Sequence, residues 1–206
     1  MKLLYLMPLL IWLVACATPE LKDDSLEDVV NWQLYQKNQN LLQSWTIKGR
    51  LSVQTEYEGG QLDYGWAQHN ETDYDIGLRA PMGAGTTIIN GRKNGVTIKT
   101  SSGDEYFDTN ADELIKRLNG WPLPVSGLQY WVKGIPSPAG GYEISEWSEM
   151  GLPRVMLQDG WRIEFRRYKD KAGNIFLSKL FINRLGDEEV DVRLLVRQWI
   201  KGTEVK

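Results

Sequence analysis

The chain has 206 residues, with 24 basic and 27 acidic side chains, one histidine and one cysteine. A single thiol excludes an internal disulfide framework, a single histidine leaves His-based triads and common zinc clusters without their parts, and a chain that starts like a secretory signal meets lipid headgroups rather than nucleic acid. The charge is uneven: residues 16–153 carry 11 basic and 19 acidic groups, and residues 154–206 carry 12 and 8, a dipole able to orient the body at a charged surface, or simply two solvated faces that differ.

Lys2 precedes an apolar run over residues 3–14, the charged-then-apolar layout of a secretory signal peptide. The run falls short of the roughly 20 apolar residues a bilayer-spanning helix needs. Leu13-Val14-Ala15-Cys16 resembles a bacterial lipobox, which implies cleavage before Cys16 and acylation on it. The alternative is a plain signal peptide with a chance cysteine. The lipobox reading makes residues 1–15 a signal peptide, 16–25 a lipidated tether and 26–206 one domain, with an N-acyl and diacylglycerol lipid on Cys16 as the only non-protein group. Ala17, where Gram-negative lipoproteins held in the inner membrane favour aspartate, points to the periplasmic face of the outer membrane.

Downstream, Ser25 is placed to cap a helix whose apolar positions Leu26, Val29, Val30, Leu34, Leu41 and Leu42 keep roughly helical spacing, ending near Ser44. The period then changes to two. Residues 47–54 alternate apolar or small with polar side chains, as do Leu62, Tyr64 and Trp66, and then Tyr74, Ile76 and Leu78. Residues 86–90 and 96–100 flank a Gly91–Gly95 connection, and residues 105–107 add a short strand. Asn110, with Glu113 three residues on, suits the start of a helix through Leu118 that stops at Gly120, and a second short helix is expected over 126–132. Strands follow over 142–146, 153–158, 161–168, 177–183 and 190–199.

About eleven short strands with one-sided polarity predict a mainly β, α+β domain: a single antiparallel sheet curled into an incomplete barrel and covered by helices. A sheet of this size encloses more room than its own side chains readily fill, so an apolar cavity is expected, with a tightly filled interior as the alternative. Eight tryptophans in the mature chain serve either a wide core or a greasy lining.

The ordered landmarks Trp45, Gly49-Arg50-Leu51-Ser52-Val53, Pro81-Met82-Gly83, Gly120-Trp121-Pro122-Leu123-Pro124, Trp131-Val132-Lys133-Gly134-Ile135-Pro136, Gly160-Trp161-Arg162-Ile163 and Val196-Arg197-Gln198-Trp199-Ile200 resemble the LolB family of outer-membrane lipoprotein receptors. One departure is Ser178, where the family more often has proline. The resemblance implies a half-open barrel like that of the soluble carrier LolA, which hands over the acyl chains of cargo lipoproteins. The receptor then places them among the phospholipids of the outer membrane's inner leaflet. It further implies a monomer that uses no nucleotide or metal and is not an enzyme. Residues expected to line the acyl cavity are Leu51, Val53, Tyr64, Trp66, Ile76, Leu78, Ile98, Trp161, Ile163, Phe165, Val192 and Leu194, each of which also suits an ordinary core. In the family, the position of Met82 holds an exposed leucine assigned to membrane insertion, which makes Pro81, Met82 and Gly83 the expected insertion loop.

Asp73 with Asp75, and Asp104 with Glu105 and Asp108, would serve a glycosidase only as a pair facing one cleft, and turns and caps use the same residues far more often. The remaining rival is a structural or assembly lipoprotein with a filled core and no acyl cargo.

Overall fold

Alternation with period two becomes one continuous surface. In a computed structural model, residues 30–119, 121–171, 173–186 and 189–202 are described, and they hold eleven strands and three helices. The expected signal peptide, Cys16, the tether and the region around Ser25 lie outside them. The strands are β1 (Trp45–Thr55), β2 (Gly59–Gln68), β3 (Tyr74–Arg79), β4 (Thr86–Arg92), β5 (Gly95–Lys99), β6 (Glu105–Asp108), β7 (Tyr142–Trp147), β8 (Pro153–Gln158), β9 (Trp161–Lys171), β10 (Asn174–Arg184) and β11 (Val190–Lys201). All pair antiparallel in one sheet of order β6-β5-β4-β3-β2-β1-β11-β10-β9-β8-β7, open between β6 and β7. Pairing β1 with β11 joins the two meanders and puts the first and last strands at the centre.

The strands between the two edges bury largely alternate residues, so the core forms on one face, while the edge strands β6 and β7 bury none. A rung of partners runs Ile98, Ile89, Ile76, Trp66, Ile47 and Trp199 from β5 across to β11. At the centre of the sheet a bulge between Lys48 and Gly49 shifts the β1–β11 register, an irregularity of the kind that bends a strand. A Cβ on Gly49 would stand 1.8 Å from the Leu195 carbonyl oxygen, so only glycine fits there. β10 bulges too, and Ser178, where the family favours proline, sits in that irregularity with its hydroxyl on the Arg167 carbonyl, 3.1 Å away. A bulge is also where a strand tolerates proline.

Helix α1 (Trp32–Leu41) starts later than its apolar spacing suggested. Asn31 has extended backbone, and its side chain accepts from the Leu34 N–H at 2.9 Å, so it caps the first turn of the helix. α1 packs against the β9–β10 half: Tyr35 meets Tyr168 edge-on, and Gln39 donates to the Ile175 carbonyl. Helix α2 (Ala111–Asn119) begins as expected, with Asn110 accepting from the N–H groups of Asp112 and Glu113. Helix α3 (Val125–Trp131) follows after Trp121-Pro122-Leu123-Pro124.

Candidate functional site

The β1–β6 half of the sheet is not filled by its own side chains. From β1 to β5, Leu51, Tyr64, Trp66, Ile76, Leu78, Ile89 and Ile98 present their side chains to the concave face, and α2, α3 and their connection lie over it. Between the two layers runs a cleft of about 540 Å³ bounded by Leu51, Leu62, Leu78, Ile89, Ile98, Ile115, Leu118, Trp121 and Leu123, with the polar side chains of Glu58, Thr86, Thr87, Thr100 and Ser101 completing its wall. That volume falls in the range of small-ligand sites. Its inner end narrows to a space of about 30 Å³ walled by Leu51, Tyr64, Trp66, Ile76, Leu78, Ile89, Leu123, Val125, Leu128 and Leu194. A trapped water needs two to four polar partners, so so greasy an end stays dry. A second opening of about 430 Å³ lies beside it, between Val53, the β1–β2 turn, Ala80, Pro81 and Trp121.

Eight of the twelve expected lining residues therefore border these spaces: Leu51, Val53, Tyr64, Trp66, Ile76, Leu78, Ile98 and Leu194. Trp161, Ile163, Phe165 and Val192 border none of the three and are packed in the core at 0–3% exposure. The interior is thus divided, one half filled and one half hollow. α1 lines none of these three spaces; its Asn40 borders a separate space of about 310 Å³ with Trp45, Gln68, Tyr130 and Lys133. Sequence reasoning expected helices over 111–132 as a cover but did not place Ile115, Leu118, Trp121, Leu123, Val125 and Leu128 in the lining. The Trp-Pro-Leu-Pro segment was the available signal, since two prolines break a helix and offer apolar side chains from an irregular backbone.

Polar bonds at its margins hold the cover. Arg117 pairs with Asp108 of β6 at 2.8 Å, and Gln129 of α3 donates to the Glu71 carbonyl in the β2–β3 turn. Asp112 accepts from the backbone and hydroxyl of Ser126, joining α2 to α3. Desolvation is the largest effect on Asp112 and raises its pKa, while those two bonds lower it. Deeper in, Gln158 accepts from the Trp131 indole N–H and the Ser137 N–H, both at 2.9 Å, and donates to the Ser137 carbonyl. That buried amide fixes the end of α3 and was not foreseen.

The loop over residues 80–85 leaves β3 and returns as β4 at the mouth of the cleft, where Ala80, Ala84 and Gly85 are part of the wall. The Ala80 N–H donates to the Gly85 carbonyl at 2.9 Å and the Ala84 N–H to the Pro81 carbonyl. Between them Met82 has φ 55° and is 98% exposed. A left-handed, unbranched apolar residue at full exposure is an unusual thing for a hairpin tip to carry.

Two sets of carboxylates considered from sequence are accounted for locally. Asp75 is bonded by His69, Arg92 and Asn90; burial opposes its charge most, but those three bonds together hold it at about 2. Asp73 closes the β2–β3 turn, Asp108 pairs with Arg117, and Asp104 and Glu105 bond to Ser102 and Lys99.

Residues 43–199 match the family model described as outer membrane lipoprotein LolB. The chain belongs to the LolB family. It is 31% identical over 188 residues to the outer-membrane lipoprotein LolB of Chromohalobacter salexigens, covering 91% of this chain and 85% of that one. It is 32% identical over 188 residues to that of Alkalilimnicola ehrlichii, covering 91% and 90%. Among solved structures, a LolA-superfamily protein from Nitrosomonas europaea superposes with a TM-score of 0.55 over 84% of this chain and 94% of its own, at 5% identity, a likeness of fold. As a LolB-family protein the chain serves lipoprotein localisation as an outer-membrane receptor, and it is not an enzyme.

Proposed function

We propose that this protein takes the acyl chains of lipoproteins from a periplasmic LolA-type carrier and releases them into the inner leaflet of the outer membrane, to which a lipid on Cys16 tethers it from the periplasmic side. The carrying observation is the cleft of about 540 Å³ between sheet and cover, polar along part of its wall and wholly apolar at its inner end, with Met82 exposed at its mouth. Hydrocarbon left in water costs about 0.8 kcal/mol per methylene, so chains crossing the periplasm need shielding throughout. Leu51, Val53, Tyr64, Trp66, Ile76, Leu78, Ile98 and Leu194 supply that shielding, while Trp161, Ile163, Phe165 and Val192 pack the filled half of the core. Cargo moves without nucleotide or metal when the receiving cleft binds it more tightly than the carrier does, and it leaves when the bilayer offers a still better solvent. Pro81 and Gly83 hold Met82 outward as the element that enters the lipid. The receptor works as a monomer, since one cleft holds the chains.

The test is uptake of a fluorescent fatty-acid probe by residues 16–206 carrying Cys16→Ala, so that no anchor competes. Saturable binding displaced by a lipoprotein's acyl chains is expected. A complete lack of uptake would favour the rival reading of an assembly lipoprotein without acyl cargo.

A further inference from the structure

Met82 does not stand alone at the mouth. The β1–β2 turn rises on the other side of the same opening: Thr55, Glu58, Gly59 and Gly60 face Ala80 and Pro81 across the space of about 430 Å³. At its tip Tyr57 is 89% exposed, second only to Met82 at 98% among the exposed large apolar side chains of the described residues. This exposure is built in. Thr55 N–H donates to the Glu58 carbonyl at 2.8 Å, the Thr55 hydroxyl donates to the same carbonyl and accepts from the N–H groups of Tyr57 and Glu58, and the Gln54 amide closes on the Glu58 carbonyl. A turn bonded this densely holds its ring out of the core, as the Ala80–Gly85 bond holds Met82.

We propose that Tyr57 and Met82 form a two-point edge that seats the mouth of the cleft on a zwitterionic phospholipid surface. The idea rests on the reading of Met82 as the membrane-entering residue and adds its counterpart. The two side chains divide the work chemically. Met82, fully apolar and flexible, suits the hydrocarbon, while Tyr57, apolar in its ring and polar at its hydroxyl, suits the headgroup level where tyrosine is enriched in membrane proteins. Exposed Glu56 and Glu58 on either side of Tyr57 keep the turn from sinking deeper and disfavour anionic lipid. A flat bilayer touches both tips at once and receives a chain leaving between them, through an opening floored by Gly59, Gly60 and Ala80 that leaves the way clear.

Because the chain has one cysteine, the test uses residues 16–206 with Cys16→Ala and a single new cysteine at Tyr57, Met82 or Lys93, each carrying an environment-sensitive dye. Lys93 lies in the turn between β4 and β5, at the opposite end of the sheet. With phosphatidylethanolamine–phosphatidylcholine vesicles, the dyes at 57 and 82 should shift to a less polar environment and the dye at 93 should not. In parallel, Tyr57→Glu should slow transfer of a bound acyl probe to the vesicles roughly tenfold, with uptake unchanged and Tyr57→Trp close to normal. A shift at 82 alone overturns the edge while leaving the role of Met82 standing. No shift at either site overturns both. A dye at 57 that responds to the LolA-type carrier and not to vesicles assigns the tip to a protein contact and also overturns the proposal.

Discussion

Tyr35 donates its hydroxyl to the backbone carbonyl of Lys133 at 2.9 Å, and the Lys133 ammonium reaches back to the carbonyls of Gln39 at 3.2 Å and Leu42 at 3.5 Å. Helix α1 and the turn after α3 thus clasp each other through two buried side chains, and the last carbonyls of α1 find their donor in a cation. Tyr35→Phe leaves the Lys133 carbonyl buried and unpaired, so urea unfolding should show a loss of about 1–3 kcal/mol.

The same clasp has a pH signature. Burial pulls the Lys133 ammonium down to about 8, an effect only partly opposed by Glu71. Between that value and the ordinary lysine range, the unfolded chain holds a proton that the folded chain has released, so stability rises with pH across that window. Burial pushes the phenols of Tyr35, Tyr64 and Tyr168 up and that of Tyr74 to about 12. Their contribution runs the other way, being lost once pH passes the normal tyrosine range near 10. Measured from pH 7.5 to 9.5, the wild type should gain on the order of 1–2 kcal/mol relative to Lys133→Met. A pH-independent difference would show that the ammonium is not held below its usual value.

Met82 allows backbone and side chain to be separated. At φ 55° glycine is the more comfortable residue, so Met82→Gly should leave thermal stability unchanged or slightly improved and still impair delivery to vesicles. Met82→Leu should deliver normally. Met82→Glu should bind the acyl probe as the wild type does and fail to release it into lipid; undiminished release would remove Met82 from the mechanism.

Leu78 borders both the wide cleft and its dry inner end. A Leu78→Trp side chain has room to occupy that junction, so probe affinity should fall by roughly tenfold or more, with the melting temperature within a few degrees of wild type. Equal affinity in this variant would place the bound chain elsewhere.

Tyr64 is a different case. Among the described residues its hydroxyl is buried with no hydrogen-bond partner, which costs free energy that a phenyl ring would not. Tyr64→Phe should therefore be neutral or stabilising by up to about 1 kcal/mol, read from chemical denaturation. A marked loss would reveal that the hydroxyl does bond in solution.

The strand count, the one-sided core and the cap at Asn110 were legible in the sequence, because alternation and capping are set by neighbours two to four residues away. The family was legible for a related reason, its landmarks being spaced along the chain in a fixed order. Only the tertiary structure separated Tyr64 and Ile76, which border the hollow, from Ile163 and Phe165, which fill the core: all four occupy equivalent alternating positions, and what covers them comes from elsewhere. It also moved the start of α1 to Asn31, brought Trp121 and Leu123 over the sheet, and set Tyr57 across an opening from Met82. These relations arise where one sheet brings distant segments together, and no local periodicity encodes which segments will meet.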